Sequence, residues 1–567
     1  MKRYYRRVLI GVLAGLIASL PLTLAVEGLG SAIAVGIVLG VVFTAPIEPP
    51  KDAYLDAVMF GGALGIPCWG ITSLLLFPLL SGHSPQWDAE GMRAHFPALV
   101  GWVCYGALLA VLVVGLSELA TKLAGAEPGA APPEEARKRR IVILGGGFAG
   151  MQTAVALEQE LRGDPSVSIT LVSDTNALLF TPMLAEVAGS SLEGSHISTP
   201  LRTSLHFVAF IRAKVKSIDL ERRRVGLEME TASGMQAEAP RELRYDQLVL
   251  ALGSVSNYHG LANVEKYSYN FKSLLDAIRI RNHVIEMFER ADRESDEGAR
   301  RAMLTFVVAG GGFAGVELAG ALNDFSRGIL ADYPSLKPEE VRVVLVHSRE
   351  RILPELSESL GAYARRSMEA RGVEFKLGVR LLDARPGVVV VSDGEIPAQT
   401  LVWTAGVAPN PLLATLPYER DKRGAVKVES TMAVPGVTGV WAVGDCAALN
   451  DGKTGKPCPP TAQFAIREAA TLARNLKATL EGKATKPFHF DSLGALCVVG
   501  HQTACAELSV PFAREKSLRF SGLLAWLMWR GIYLSKLPGL ERKVRVLLDW
   551  TIELFFQKDI VQTIDLS

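Results

Sequence analysis

A six-residue glycine loop, GGGFAG, occurs twice in this chain of 567 residues. The first copy lies in IVILGGGFAGMQTA, from Ile141, and the second in TFVVAGGGFAGVELAG, from Thr305. Each copy follows a short apolar run and precedes apolar residues at helical spacing, which is the strand, loop and helix order of the dinucleotide fingerprint. A single copy is also compatible with an ordinary turn before a helix. Two copies in the same setting predict two dinucleotide-binding α/β units.

The glycines of such a loop have separate roles. The first permits a tight turn, the second lets the backbone approach a pyrophosphate, and the third lets the helix pack against the strand. The residues predicted to contact cofactor are Gly145, Gly147, Phe148, Ala149 and Gly150 in the first copy, and Gly310, Gly312, Phe313, Ala314 and Gly315 in the second.

The strands that follow the two loops end differently. VSITLVSDTN ends at Asp174, and an acid about 20 residues past the loop is the expected partner of a ribose hydroxyl. VRVVLVHSRERILPEL instead ends at His347, Ser348 and Arg349, where a hydroxyl and a cation suit a 2′-phosphate. This favours NADPH, or use of both nicotinamides, over strict NADH use. Pairing of Arg349 with a nearby glutamate is the alternative.

Glu317 follows the last glycine of the second loop by two residues. That spacing places it in the first turn of the helix, where the helix dipole favours a carboxylate. A capping role is one interpretation, and a role beside the nicotinamide is the other. We retain Glu317 as a candidate catalytic residue.

Four apolar stretches fill the first 120 residues, at about 8–26, 29–47, 58–80 and 96–119. Each is close to the roughly 20 residues that span a bilayer as a helix. The sequence therefore predicts a transmembrane module of four helices, with Gly-x-x-x-Gly pairs that permit close packing. No histidine and almost no charge lies within the stretches, which favours an anchor or assembly surface over haem or ion transport.

Basic residues flank these stretches unevenly. They precede the first stretch and follow the second and fourth, and the other connections carry only Arg93. The positive-inside rule then predicts a multi-pass protein of the cell (inner) membrane, with its catalytic part on the cytoplasmic side. The basic residues are Lys2, Arg3, Arg6, Arg7, Lys51, Lys122 and Arg137 to Arg140.

Charge and cysteine content exclude other classes. The net charge is +1, so nothing indicates binding to nucleic acid. The six cysteines contain no Cys-x-x-Cys pair and no metal-ligand spacing, and we predict no metal site. No cysteine lies between Cys104 and Cys446, which excludes the redox-active pair of a disulfide reductase.

Several further blocks complete a family pattern. LLFTPMLAEVAGSSL, YDQLVLALGSVSNYHG, VWTAGVAPNPL, GVWAVGDCAAL and PPTAQFAIREA follow in order along the chain. With these blocks the chain resembles the two-domain flavoproteins, and most closely the type II NADH dehydrogenases, the non-pumping NAD(P)H:quinone oxidoreductases. The resemblance runs from about residue 141 to the C-terminus.

The resemblance implies roles for further residues. Ala251, Gly253, Gly444 and Asp445 correspond to FAD contacts, and Gly406 lies near the nicotinamide. Ala462 and Gln463 match an Ala-Gln pair where flavin and quinone meet, and Gln463 is the second candidate catalytic residue. The family pattern continues with another glutamine, which is Arg467 here. A helix beginning near Thr461 would direct its positive end at the flavin.

The expected fold is α/β, with two Rossmann-type domains between helical membrane segments. The implied activity is hydride transfer from NADH or NADPH to FAD, followed by electron transfer to a quinone. The lipid bilayer is a second partner, and a homodimer is one expected assembly. The predicted boundaries are 1–124 (transmembrane module), 125–139 (linker), 140–270 and 411–515 (FAD-binding parts), 271–410 (NAD(P)H-binding domain) and 516–567 (C-terminal membrane segment).

Two alternatives stay open at this point. A sulfide:quinone oxidoreductase needs cysteines near the flavin, and Cys446 with Cys458 is a poor pair. A flavin domain that senses nicotinamide redox state through the four helices would not need multiple turnover. The segment from Arg519 onward mixes aromatic residues with cations, which favours helices in the membrane interface plane, or a helix pair packed on the protein's own core.

Overall fold

The computed structural model describes residues 2–44 without 25 and 27, 54–82 without 81, 94–123, 138–229 without 163, 241–509 and 517–562. The chain divides into two compact units, residues 1–135 and 136–567. The sequence predicts a linker at 125–139 and basic flanks at Lys51, Arg93 and Arg137. The linker up to residue 137 and these flanks lie outside the described residues.

Helices account for the described part of the first unit. They are α1 (Lys2–Ala18), α2 (Leu29–Thr44), α3 (Tyr54–Trp69), α4 (Phe77–Leu80) and α5 (Phe96–Leu123), with a π-helical segment, Gly70–Leu76, between α3 and α4.

Glycines let these helices approach backbone to backbone. An added Cβ at Gly15 would lie 2.3 Å from the carbonyl oxygen of Gly36, which joins α1 to α2. An added Cβ at Gly61 would lie 2.1 Å from the carbonyl oxygen of Gly106, which joins α3 to α5. Larger side chains at these positions would separate the helices.

The four predicted spans are supported only in part. Each apolar stretch contains helix, but within the described residues one helix, Phe96–Ser117, is long and apolar enough to cross a membrane. The apolar helical segments at 8–18, 29–42 and 70–79 are shorter. A four-span module is therefore not established by these helices.

The first Rossmann sheet belongs to the second unit. Its strands, numbered along the chain, are parallel and lie in the order β21-β9-β1-β2-β5. Buried Ile, Val and Leu residues fill the central strand, as expected when helices or loops cover both faces. The strands are β1 (Arg139–Leu144), β2 (Val167–Ser173), β5 (Ala209–Arg212), β9 (Gln247–Leu250) and β21 (Val440–Ala442), and the helices packed here are α6 (Phe148–Glu160) and α14 (Ala462–Leu480).

The second Rossmann sheet is also parallel, in the order β11-β18-β12-β13-β14. Its strands are β11 (Tyr269–Asn270), β12 (Thr305–Ala309), β13 (Arg342–His347), β14 (Val373–Leu377) and β18 (Thr400–Trp403). Its helices are α10 (Leu274–Ala291), α12 (Phe313–Ile329) and α13 (Glu358–Glu369).

An antiparallel pair, β10 (Ser254–Ser256) and β19 (Val407–Pro409), carries the chain from the first sheet to the second and back. Further strands and α-helices, in addition to those of the C-terminal part, lie outside the two parallel sheets. They are β3 (Ala177–Leu179), β4 (Ser198–Pro200), β6 (Lys214–Asp219), β7 (Arg224–Glu228), β8 (Arg241–Arg244), β15 (Leu381–Arg385), β16 (Val388–Val391), β17 (Gly394–Pro397), β20 (Val426–Lys427), β22 (Ala447–Ala448), α7 (Leu184–Ala188), α8 (Leu201–Ser204), α9 (Ala262–Tyr267) and α11 (Glu297–Met303).

The C-terminal part begins as a sheet. Strands β23 (Gly494–Gly500), β24 (Thr503–Ser509) and β25 (Ser517–Gly522) form an antiparallel sheet that leads into α15 (Leu523–Lys536) and α16 (Leu540–Phe555). The sequence predicts helices from Arg519 onward, but residues 519–522 complete β25, because they pair antiparallel with the preceding strand β24.

The two C-terminal helices are two-sided. Trp526, Trp529 and Trp550 are buried in the main core cluster. Other side chains of α15 and α16 are exposed and apolar, namely Leu523, Leu524, Leu527, Leu547, Leu548, Ile552, Leu554 and Phe555. The sequence predicts either helices in the membrane interface or a helix pair packed on the core. In the structure the same two helices pack on the core with one side and expose an apolar surface on the other.

Candidate cofactor and electron-transfer site

The first glycine loop joins the end of β1 to the start of α6. Gly145 has φ of 110°, and a Cβ there would lie 2.1 Å from the carbonyl oxygen of Ala251. A Cβ at Gly150 would lie 1.8 Å from the carbonyl oxygen of Gly145, so only glycine fits. At Gly147, by contrast, no described atom lies within 4 Å of an added Cβ. The loop is tight where helix meets strand and open where a phosphate would approach.

The neighbouring strand ends complete an open cradle. Asp174 is exposed immediately after β2, and Arg212 donates from Nε to its carbonyl oxygen at 3.3 Å. Ala251 is buried after β9, and Gly253 has φ of 65° with open space at its Cβ position among the described residues. An open glycine loop beside an exposed acid fits the adenosine-diphosphate part of FAD.

The Gly-Asp motif lies at the end of β21. The amide of Gly444 donates to Oε2 of Glu468 at 2.9 Å, and burial raises the pKa of Glu468 to about 7, with the nearby Asp445 adding to the rise. Asp445 accepts from Oγ of Ser254 at 2.6 Å, and Ser254 in turn accepts from Nζ of Lys272 at 2.7 Å.

The sequence motifs do not single out Glu468, Ser254 or Lys272. A signal exists for Glu468, because it shares the buried face of α14 with Phe464, Ala465 and Leu472 at helical spacing. A buried acid on an apolar face indicates a specific partner. Lys272 and Asp445 are 173 positions apart, so no local pattern links them.

The helix predicted near Thr461 is α14, and Thr461 caps it by accepting from the amide of Phe464 at 3.5 Å. Gln463 is half-buried and contacts the segment before β23. Its Oε1 accepts from the amide of Leu493 at 3.2 Å, and its Nε2 donates to the carbonyl oxygen of Gly494 at 3.4 Å. Arg467 is exposed, with its guanidinium 5.5 Å from the ring centre of Phe490. The flanking residue Ala462 is half-buried.

The second glycine loop repeats the first. Gly310 has φ of 123°, and a Cβ at Gly315 would lie 1.9 Å from the carbonyl oxygen of Gly310. The nearest described atom to a Cβ at Gly312 is Oε1 of Glu355, at 3.5 Å. Phe313 and Ala314 begin α12, which has no side-chain N-cap from the described part of the chain. The first amides of α12 are thus available for a second pyrophosphate.

His347 and Arg349 take different positions at the end of β13. Nδ1 of His347 accepts from the amide of Gly311 at 3.1 Å, which fixes the ring beneath the loop. Burial, and then the charge of Arg349, lower the pKa of His347, so this ring is not the cation of the site. Ser348 and Arg349 are exposed, and Arg349 makes no ion pair with any described residue. Among the three residues, the positive charge belongs to Arg349 alone.

Glu317 lies in the second turn of α12, since the helix begins at Phe313, and this corrects the first-turn prediction. Its Oε1 accepts from the amide of Val498 on β23 at 3.3 Å, so it does not cap its own helix. Burial, and then the charge of Glu186, raise the pKa of Glu317 to about 8. A carboxyl with this pKa is largely protonated at neutral pH.

Glu317 lines a cavity of about 430 Å³ between α7, α12, β23 and the C-terminal helices. Glu186, Trp529, Arg530 and Glu553 line the same cavity. Arg530 pairs with Glu553 at 3.0 Å, and its guanidinium lies 3.8 Å from the ring centre of Trp526. The cavity therefore joins the second Rossmann unit to the C-terminal helices through ionisable groups.

Gly406 lies where the two Rossmann units meet. Its carbonyl oxygen accepts from the amide of Asn257 at 3.0 Å, and a Cβ there would lie 2.6 Å from Nε2 of His259. Most of the predicted FAD residues thus gather at the carboxyl ends of β1, β2, β9 and β21, and Ala462 and Gln463 begin α14. Most of the predicted nicotinamide residues gather at the ends of β12 and β13, with Gly406 following β18.

Two parallel dinucleotide-binding sheets, each with its own glycine loop and joined by an antiparallel crossover, define the two-domain flavoprotein reductases. Residues 139–469 match the family described as pyridine nucleotide-disulphide oxidoreductase, and residues 493–559 match the NDH2 C-terminal domain.

Relatives narrow the class further. The type II NADH:quinone oxidoreductase Ndh of Mycobacterium tuberculosis is 32% identical over 442 residues, covering 75% of this chain and 89% of the relative. A probable NADH dehydrogenase of Dictyostelium discoideum is 31% identical over 430 residues, covering 74% and 90%. A structure of NDH2 from Plasmodium falciparum in complex with NADH shares the fold, with a TM-score of 0.67 at 18% identity over 75% of this chain and 100% of that one. The chain belongs to the type II NADH:quinone oxidoreductase family.

Proposed function

We propose that this protein oxidises NADH and reduces a quinone, without pumping protons. The observation that carries the proposal is the pairing of two open glycine cradles in one unit, one with an exposed acid and one with a neutral carboxyl beside it. When bound, FAD would accept a hydride from NADH and pass two electrons onward. Family membership supports the quinone as acceptor.

The chain's own residues orient and enclose the reactants. The first loop with Asp174, Ala251, Gly253, Gly444 and Asp445 would hold FAD. The second loop with Gly406 and the end of β13 would hold the nicotinamide dinucleotide. The start of α14 at Ala462 and Gln463 would direct helix-terminal amides at the flavin, which favours negative charge there.

Glu317 would serve as a neutral hydrogen-bonding group that positions the nicotinamide. Its pKa of about 8 also lets its carboxyl hold a proton close to the site, and reduction of a quinone to a quinol consumes two protons. The cavity behind Glu317 contains further ionisable groups, so a lost proton can be replaced from that side.

Gln463 would lie beside the reacting end of the quinone. Its amide is tied to residues 493 and 494, and this holds the side chain in one orientation. The exposed Arg467 adds a positive charge one helical turn further along α14, where the family pattern carries a glutamine.

Arg349 supports the use of NADPH beside NADH. Among the described residues it is an exposed cation without an ion pair, and β13 itself ends in His347 where β2 is followed by Asp174. A guanidinium binds a phosphate with two parallel hydrogen bonds, so Arg349 suits a 2′-phosphate.

Membrane attachment would use both ends of the chain. The exposed leucines of α15 and α16, with cations between them, form a surface suited to the bilayer interface, where a lipid-soluble quinone is found. The four apolar stretches would cross the cell membrane as a multi-pass anchor with the catalytic unit on the cytoplasmic side, and the long apolar helix at Phe96–Ser117 supports at least one such crossing. A homodimer stays an expectation of the family resemblance.

The decisive experiment is turnover by the purified full-length protein in detergent with FAD. NADH oxidation is followed with a short-chain quinone as acceptor, and then with NADPH in place of NADH. Many turnovers per protein support the enzyme. Bound FAD that is reduced once, with no quinone-dependent turnover, would support a redox sensor and reject the proposal. The variant Gly298→Ala, a substitution on the exposed helix α11, is the control and should turn over at the wild-type rate.

A further inference from the structure

A hydrogen-bonded chain crosses from the second Rossmann unit to the first beside the proposed FAD site. It begins at Lys272, in the segment between β11 and α10. Nζ of Lys272 donates to Oγ of Ser254 at 2.7 Å. Oγ of Ser254 lies 2.6 Å from Oδ2 of Asp445 and donates to it.

The direction of this chain is fixed by chemistry. An ammonium group only donates, and a carboxylate only accepts. A serine hydroxyl has one proton, so Ser254 accepts from Lys272 and gives its own proton to Asp445. One carboxylate oxygen of Asp445, Oδ2, is therefore engaged inside the protein. Its Oδ1 accepts no hydrogen bond from the described residues and is available to a ligand.

Lys272 itself is held in place by its own segment. Its backbone amide donates to Oδ2 of Asp276 at 3.0 Å, and Asp276 also completes the capping box of α10 with Ser273. Burial lowers the pKa of Lys272, and the charge of Asp445 offsets part of that fall. The half-buried cation therefore has a carboxylate as its counter-charge, and the two groups sit in different Rossmann units.

We propose that Lys272 is a positioning residue for FAD, which acts through Ser254 to fix the carboxylate of Asp445 and to fasten the nicotinamide unit to the flavin unit. This rests on the proposed function, since Asp445 is there assigned to the flavin. Lys272 need not touch the cofactor. Through Ser254 it fixes which oxygen of Asp445 is engaged inside the protein, and it holds that carboxylate in one rotamer.

The test measures FAD affinity in the full-length protein after removal of flavin, by the change in flavin fluorescence on titration. Lys272→Met and Ser254→Ala should each raise the dissociation constant for FAD about tenfold, the range for a hydrogen bond to a charged group. The double variant should be no weaker than either single variant, because both break one chain. Lys272→Arg should restore most of the affinity, and Lys266→Met, an exposed lysine on α9, should match the wild type.

Three outcomes would overturn the inference. They are unchanged affinity in Lys272→Met, additive losses in the double variant, and loss in Lys272→Arg equal to that in Lys272→Met. The proposed function is tested separately by the wild type. If the wild type binds FAD and reduces quinone, and Asp445→Ala weakens FAD binding while Lys272→Met does not, only the role of Lys272 fails.

Discussion

The two GGGFAG loops have nearly the same backbone and different surroundings. Their first glycines have φ of 110° and 123°, and their last glycines would bring a Cβ to 1.8 and 1.9 Å from a carbonyl oxygen. Seven positions after the first glycine, the first unit has Gln152 and the second has Glu317. The strand after the loop is followed by the exposed Asp174 in the first unit, and it ends in the second unit at His347, whose ring is fixed beneath the loop. The loop defines a phosphate cradle, and the neighbours define the cofactor.

The largest expected effect separates the two loops by a matched pair of variants. Gly150→Val should abolish FAD binding and all turnover, because its Cβ would overlap the carbonyl oxygen of Gly145. Gly315→Val should abolish NADH oxidation while the protein keeps its FAD. Visible flavin absorbance and NADH oxidation, measured on the same samples, check both. Equal flavin loss in the two variants would contradict the assignment of separate cofactors.

Glu317 should give the second unit a pH dependence of its own, at a higher pH than the pKa of about 7 at Glu468 in the first unit. Its carboxyl is neutral below a pKa of about 8 and ionised above it, so turnover should fall as pH rises through 8. Glu317→Gln stays neutral, and its turnover, although lowered several-fold, should lose that alkaline fall. Turnover profiles against pH measure this, with the exposed Glu358→Gln as control. An unchanged alkaline fall in Glu317→Gln would remove Glu317 from the mechanism.

The same group should affect stability with a defined sign. Its pKa is raised from about 4.5 in the unfolded chain to about 8 in the fold, so protonation favours the folded state. The contribution is complete below about pH 4.5 and declines up to about pH 8. Denaturant unfolding should therefore show a shallower decline of the free energy of unfolding over this window in Glu317→Gln than in the wild type.

A smaller effect is expected where the two strands end. Arg349→Ala should raise the KM for NADPH about tenfold, because a charge-assisted contact to the 2′-phosphate is lost, and should leave the KM for NADH unchanged. Steady-state kinetics with each donor measure the difference. Arg365→Ala, an exposed arginine on α13, is the control. Equal losses with both donors would assign Arg349 to the shared part of the dinucleotide.

The smallest effect concerns the C-terminal helices. Leu524→Ser with Leu548→Ser should raise the KM for a long-chain quinone in lipid vesicles about threefold, because less apolar surface enters the interface. The KM for a short-chain quinone should not change. Turnover with both quinones measures this in the full chain, and the exposed Leu382→Ser in the second Rossmann unit is the control. A loss with both quinones would indicate damage to the fold.

The parts of the fold that the sequence predicts are those with local signals. The strand, loop and helix around each GGGFAG, the acid after β2 and the start of α14 at Thr461 depend on neighbouring residues, and the structure has them there. Glu317 was predicted in the wrong turn and without its partner, because Val498 lies 181 positions further along the chain. β25 is not predicted for a different reason: its antiparallel pairing with the preceding strand β24 overrides the aromatic and apolar pattern that favours helix from Arg519.

The hydrogen-bonded series Lys272, Ser254 and Asp445 also cannot be predicted from a pattern of neighbouring residues in the sequence. Ser254 and Lys272 flank the crossing from one Rossmann unit to the other, and Asp445 follows the return. Only folding brings the three side chains within hydrogen-bonding distance. For the four apolar stretches near the N-terminus, the sequence predicts an apolar helix in each. It does not predict how long each helix is, because the hydropathy pattern does not show where a helix begins and ends.

The antiparallel pair β10 and β19 has a consequence for how such a protein can change. The chain leaves the first Rossmann sheet at Ser254 and returns at Pro409, and these two residues are direct partners in one ladder. The whole second Rossmann unit is thus an insertion whose two ends are neighbours. An insertion of this kind can be replaced by another domain without changing the strand order of the sheet into which it is inserted. With the cofactors placed as proposed, donor preference can then evolve on one side of the ladder while the flavin chemistry on the other side stays constant.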